Sequence, residues 1–147
     1  MSIEIRPVSP VDHAAWLPLW QSYLDFYQSE LPVGTSEMTW QRFLDPTEPM
    51  HASLAWQRRR AVGLVHFIYH RSCWTVGDYC YLQDLFVADG LRGGGIGRRL
   101  IEHVYAQARA AGASRVHWLT HESNSDAMQL YERIADRSGF VQYRKLF

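Results

Sequence analysis

The stretch Arg92-Gly93-Gly94-Gly95-Ile96-Gly97-Arg98 lies between two different sequence patterns. Upstream, Tyr79 to Val87 is aromatic and β-branched, which predicts a buried strand. Downstream, Leu100, Ile101, Val104, Tyr105 and Ala108 recur at helical spacing. A glycine turn at the start of a helix gathers unpartnered backbone N–H groups at the positive end of the helix dipole. Glycines let such a backbone curl around a phosphate, and Arg92 and Arg98 add positive charge. The chemistry implied is the holding of a phosphorylated cofactor. A Walker loop would continue with Gly-Lys-Ser/Thr, but Gly97 is followed by Arg98 and Arg99. A dinucleotide fingerprint would need a glycine at Leu100 and an acid near Val116 to Leu119, and has neither.

A second group lies downstream, in Trp118-Leu119-Thr120-His121-Glu122-Ser123-Asn124, then Ala127, Leu130-Tyr131 and Gly139-Phe140. Asn124 and Tyr131 are seven residues apart. That is two helical turns, so both side chains share one helix face.

Together these motifs resemble the GNAT N-acetyltransferase superfamily. Arg92, Gly95 and Gly97 match its Arg-x-x-Gly-x-Gly cofactor loop, and the Asn, Leu-Tyr and Gly-Phe positions match its later elements. The resemblance implies acetyl-CoA as cofactor. Its pyrophosphate would lie on Arg92, Gly93, Gly94, Gly95, Ile96, Gly97 and Arg98. Its pantetheine arm would run past Asn124, Ala127 and Tyr131. Backbone N–H groups of Leu85, Phe86 and Val87 would polarise the thioester carbonyl, and Tyr131 would be the general acid for the leaving thiolate.

Trp16 to Tyr27, Arg42 to Pro46 and Thr120 to Asn124 are similar to a yeast GNAT subgroup linked to histone tails, polyamines and D-amino acids. Leu82-Gln83-Asp84 is similar to the Leu-Glu-Asp of diamine acetyltransferases, with Gln83 in place of the glutamate assigned there as base. Glutamine cannot take up and release a proton in that role. Asp84, Glu122, His121 and His66 remain as candidates for the base. Acceptor binding is expected at Tyr27, Glu30, Glu37 and Asp84, with Tyr23 and Trp40 able to stack on an ammonium group. A simpler reading makes the aromatics core or dimer contacts and leaves the acids solvated.

These residues need elements to position them. Strands are expected at Ile3–Val8, Ala52–Gln57, Ala61–Arg71, Tyr79–Val87, Arg115–Thr120 and Phe140–Leu146. Helices are expected from Asp12 to about Ser29, Glu37–Leu44, Gly95–Ala111 and Asn124–Tyr131. The order is mixed α/β and matches a single GNAT domain over residues 1–147. The resemblance adds a mixed central sheet, helices on both faces, and a cofactor cleft where the strands ending at Val87 and Thr120 splay.

A chain of 147 residues, 47% hydrophobic, can bury a core. Its net charge of +0 gives no support to nucleic-acid binding. Cys73 and Cys80 make neither a metal pattern nor a disulfide framework and read as small apolar groups. The expectations are no metal, no signal peptide, no membrane span, a cytoplasmic location, a small amine or peptide substrate and a homodimer. The alternative to an acetyltransferase is a non-catalytic acyl-CoA-binding sensor with the same fold.

Overall fold

In the computed structural model, which describes residues 2–147, β1 (Ile3–Pro7) forms one edge of the sheet. A single 3-10 turn, Pro10–Asp12, leads into α1 (His13–Phe26). The Asp12 carboxylate reaches back to accept the Ser9 N–H at 2.8 Å, fixing this corner. Helix α1 buries Trp16, Leu19 and Trp20 at helical spacing. Helix α2 (Val33–Leu44) begins four residues before the expected Glu37, because Pro32 serves as its N-cap. β2 (Met50–Gln57), β3 (Arg60–His70) and β4 (Tyr79–Val87) succeed it as an antiparallel meander. Arg58, with φ +58°, turns the chain between β2 and β3. Then come α3 (Ile96–Ala110), β5 (Val116–His117) and α4 (Ser125–Ile134). The sheet runs β1-β2-β3-β4-β5, with β5 parallel to β4.

Alternation along the strands builds two cores. Leu54, Trp56, Leu64 and Phe86 pack with Trp16, Trp20 and Trp40 on the α1–α2 face. Ala55, Val65, Phe67 and Leu82 pack with Ile96, Leu100, Ile101 and Val104 on the α3 face. Helices thus cover both faces, as expected. Leu82 and Phe86 are four residues apart yet join opposite cores. Pairing shifts from Phe67↔Leu82 to His66↔Asp84, so Gln83 is an extra residue in β4. This bulge reverses which face the next residues meet.

Three expectations need correction. β5 is two residues long rather than Arg115–Thr120. No strand forms at Phe140–Leu146; residues 135–147 carry neither helix nor strand. A strand requires a neighbour for its N–H and C=O groups, and no other strand of this chain pairs with these residues. Cys73 is exposed, not packed. Cys80 is buried, and burial pushes its thiol up to about 12. No helix among the described residues is long and apolar enough to cross a membrane.

Candidate active site

β4 and β5 pair only at Cys80↔Val116 and Tyr81↔His117. Beyond that point they separate. The opening is walled on one side by Leu82, Gln83 and Leu85, and on the other by Trp118, Leu119 and Thr120. Tyr23 and Tyr27 from the end of α1, and Tyr131 from α4, close it above. The bulge leaves Gln83 exposed at this opening.

The backbone of β4 has a free side here. The Ala88 N–H donates to Val62 O at 2.8 Å, towards β3. Alternation then turns the N–H groups of Val87 and Leu85 to the opened side, where no strand accepts them. The Phe86 N–H faces β3 and its ring lies in the α1–α2 core.

At the end of β4 the chain turns through Gly93 and Gly95, with φ of +84° and +86°, and Gly95 is the N-cap of α3. Arg99 N–H bonds Gly95 O at 3.1 Å as the first helical bond. The N–H groups of Ile96, Gly97 and Arg98 precede it and have no helical acceptor. A Cβ built on Gly93 or Gly95 meets nothing within 4 Å, so the space above the turn is open. The flanking cations are engaged elsewhere. Arg92 lies 3.1 Å from Asp89, donates to Val87 O at 3.1 Å and sits over Phe26 and Phe86. Arg98 pairs with Glu102 at 3.2 Å. What this turn offers an anion is therefore the backbone and helix dipole first.

Across the opening, Asn124 is the N-cap of α4, its amide 3.3 Å from Thr120 Oγ1. Asn124, Ala127 and Tyr131 share one face of the helix. The Tyr131 ring meets Trp118 edge-on at 5.3 Å. Burial, with a smaller contribution from Tyr27, raises the pKa of Tyr131, so the phenol keeps its proton and remains a donor.

Behind the opening is a chain of hydrogen bonds. Trp16 Nε1–H donates to His66 Nε2 at 3.0 Å. That bond leaves the ring proton on Nδ1, which donates to Asp84 Oδ2 at 2.9 Å. The Tyr23 phenol lies near Asp84; burial first, and the Asp84 charge second, hold it far above the ordinary value. His66 is buried and Asp84 nearly so, at 3% and 14% side-chain exposure. Sequence reasoning named His66 and Asp84 as separate candidates for a base, Asp84 also for acceptor binding, and Tyr23 only as a stacking group. The signal that linked them was a lone histidine in the apolar run Ala61 to Tyr69.

Other expected residues lie outside this group. Glu30 is exposed between α1 and α2, and Glu37 is 3.1 Å from His13. Trp40 is core, 5.0 Å from Trp16. His121 and Glu122 are exposed. No group of three or more metal-ligating side chains is gathered among the described residues.

Residues 16–135 match the Acetyltransferase (GNAT) family. The D-amino-acid N-acetyltransferase HPA3 of Saccharomyces cerevisiae is 34% identical over 145 residues, covering 97% of this chain and 90% of that protein. A thialysine N-epsilon-acetyltransferase of Caenorhabditis elegans is 26% identical over 134 residues, 90% of this chain and 82% of that one. The fold superposes with a TM-score of 0.87 on AAC(6')-Iy in complex with the bisubstrate analog CoA-S-monomethyl-acetylneamine. That match covers 100% of this chain and 99% of that one at 14% identity, a likeness of fold alone.

Proposed function

The chain belongs to the GNAT acetyltransferase family, and from that premise we propose that it transfers acetyl from acetyl-CoA to the primary amine of a free amino acid or similarly small cationic amine. The observation that carries this reading is the separation of β4 from β5, with a glycine turn at one end and Tyr131 across from it. The turn suits a pyrophosphate, since positive-φ glycines leave room above it and three N–H groups have no helical acceptor. Gly93 to Arg98 would hold that group, and Asn124, Ala127 and Tyr131 would border the arm. Bound there, acetyl-CoA supplies an activated acyl group.

This chain's residues then divide the work. The N–H groups of Leu85 and Val87 donate to the carbonyl oxygen as negative charge develops on it. Tyr131 gives its proton to the sulfur as the carbon–sulfur bond breaks and the carbon–nitrogen bond forms. Tyr23 lies near Asp84, so it can pass its hydroxyl proton towards that carboxylate while its oxygen lone pairs receive the amine's N–H. Asp84 sits behind it as the negative charge an ammonium needs, and the neutral His66 holds that carboxylate in place. The amine proton leaves through Tyr23 towards Asp84, which removes the need for a glutamate at position 83. Tyr23, Tyr27 and Tyr131 leave a narrow opening, which favours small acceptors, and the likeness to a D-amino-acid acetyltransferase favours amino acids among them. Dependence on acetyl-CoA and an exposed free Cys73 suit the reducing cytoplasm.

The test is thiol release from acetyl-CoA across D- and L-amino acids, diamines, lysine peptides and aminoglycosides. Amino acids or small diamines should lead, and Asp84→Asn should raise KM for the amine more than it changes CoA affinity. Acetylation of aminoglycosides alone would overturn the acceptor assignment. CoA binding without thiol release for any amine would mark a binding domain instead.

A further inference from the structure

Behind the opening, His66 is buried in the middle of β3. Three rings enclose it: Phe43 of α2 at 4.6 Å, and Trp20 and Trp16 of α1 at 5.0 Å and 6.1 Å. Both of its ring nitrogens are engaged, and by opposite kinds of partner. Nε2 faces the Trp16 N–H, with the nitrogens 3.0 Å apart, and Nδ1 faces Asp84 Oδ2 at 2.9 Å.

An indole N–H can only donate, and a carboxylate can only accept. A neutral imidazole has one N–H and one bare nitrogen, and its two tautomers exchange them. Only the tautomer with its proton on Nδ1 makes both bonds. With the proton on Nε2, two N–H groups would face each other, and the Nδ1 lone pair would face a carboxylate oxygen. A second ring proton would likewise set Nε2–H against the indole. Each alternative leaves a buried donor without an acceptor, which folded chains avoid. Phenylalanine at position 16 would fill much of the same space but donate nothing, so the indole nitrogen adds chemistry beyond packing.

We propose that Trp16 is a positioning residue for acetyl transfer: by donating to Nε2 it fixes His66 as the Nδ1–H tautomer, which aims a single N–H at Asp84 and leaves that carboxylate a net anion beside the acceptor amine. This role rests on the acetylation reading above. Trp16 is 0% exposed, so it acts through His66 and not on the substrate. Few ionisable groups compete for this control. Asp84 and Tyr81 belong to β4 and Tyr23 to α1, and all three lie near one another. Ala52 of β2 pairs with His66 and Phe43 of α2 packs on it, and neither ionises. His13, 3.1 Å from Glu37, meets Trp16 with ring centres 5.9 Å apart. Without the Trp16 donor, His66 would be free to turn its Nδ1 lone pair on Asp84, or to take a second proton and cancel the Asp84 charge as an ion pair. Either change loosens the hold on an ammonium group.

The test removes the donor and keeps the ring. β-(3-Benzothienyl)alanine in place of Trp16 puts sulfur where the indole has its N–H. Long-range nitrogen-15 spectra of the unaltered full chain near neutral pH should show His66 protonated on Nδ1 and bare on Nε2. The substituted chain should lose that pattern while its unfolding midpoint stays close to the parent's. Its KM for the best amine acceptor should rise roughly tenfold, with kcat and CoA affinity little changed. A His66 proton on Nε2 in the unaltered chain, or an unchanged amine KM in the folded substituted chain, would overturn the role of Trp16 and leave the acetylation reading standing. Failure of every amine to be acetylated would overturn that reading, and this role with it, whichever tautomer is seen.

Discussion

The α1–α2 face of the sheet and the α4 side use the same residue types and end in opposite states. On the first, Trp16, Trp20 and Trp40 are all buried, and their neighbours give them partners. Trp16 donates to His66 and Trp20 donates to Ser36 Oγ, both at 3.0 Å. On the second, Trp118 and Tyr131 stay half-buried, no residue of α4 is fully buried, and the aromatic tail is bare. The difference lies in where the partners come from. The first face is completed by its own chain, whereas the second holds the splayed cleft in which we propose that the cofactor sits.

Replacing one tryptophan on each side should expose this contrast most strongly. Trp16→Ala removes a ring with 0% exposure and leaves His66 Nε2 without its donor. It should cost about 4 kcal/mol of stability. Trp118→Ala, at a partly covered site, should cost about 1 kcal/mol. Chemical denaturation midpoints measure both, and equal losses would erase the distinction. Next in size is Tyr131→Phe, which leaves the ring against Trp118 but removes the proton donor. Turnover should fall roughly 10²-fold, about 2.7 kcal/mol in the barrier, with the folding midpoint unchanged. A stability loss without a rate loss would make Tyr131 a packing residue only.

A smaller effect is expected with acid. His103 on α3 and His117 on β5 have pKa values lowered from 6.5, mainly by burial. The unfolded chain therefore takes up these protons first. Their contribution is flat above about pH 7, is lost as pH falls through 6.5, and levels off once the folded-state histidines are also protonated. Hydrogen exchange between pH 7 and 5 should show α3 and β5 losing protection before α1. Uniform loss would mean the two sides do not differ in this respect.

Legibility in the sequence divides along the same line. The glycine turn was legible because positive φ and helix starts are local properties of Gly93 to Gly97. β2 and β3 were legible as paired strands because Ala52–Gln57 and Ala61–Arg71 are apolar runs, while helices on both faces followed only from the family resemblance. The bulge at Gln83 was not, because it consists of one extra residue opposite a partner strand, and pairing register is not written within either strand alone. For the same reason the reach of Asp84 to His66 and Tyr23 was hidden, since those residues come from β4, β3 and α1. The failed strand at Phe140–Leu146 is the most instructive. Its composition is that of a strand, but composition does not say whether a neighbour will pair with it, and none does here.

If the cleft between β4 and β5 seats CoA on the first turn of α3, an acid placed in that turn must weaken binding without harming the fold. Calorimetric titration of CoA into Gly97→Asp reads this. A Cβ at position 97 makes only an ordinary 3.9 Å contact with Val87 Cγ2, and an acid in the first turn favours the helix dipole. The fold should therefore stay as stable or gain slightly, while the carboxylate repels the pyrophosphate. The unaltered chain should bind CoA 1:1, and the variant should show at least a ~10-fold weaker Kd, about 1.4 kcal/mol. CoA affinity unchanged in a folded Gly97→Asp protein would contradict the seating of the cofactor on this turn.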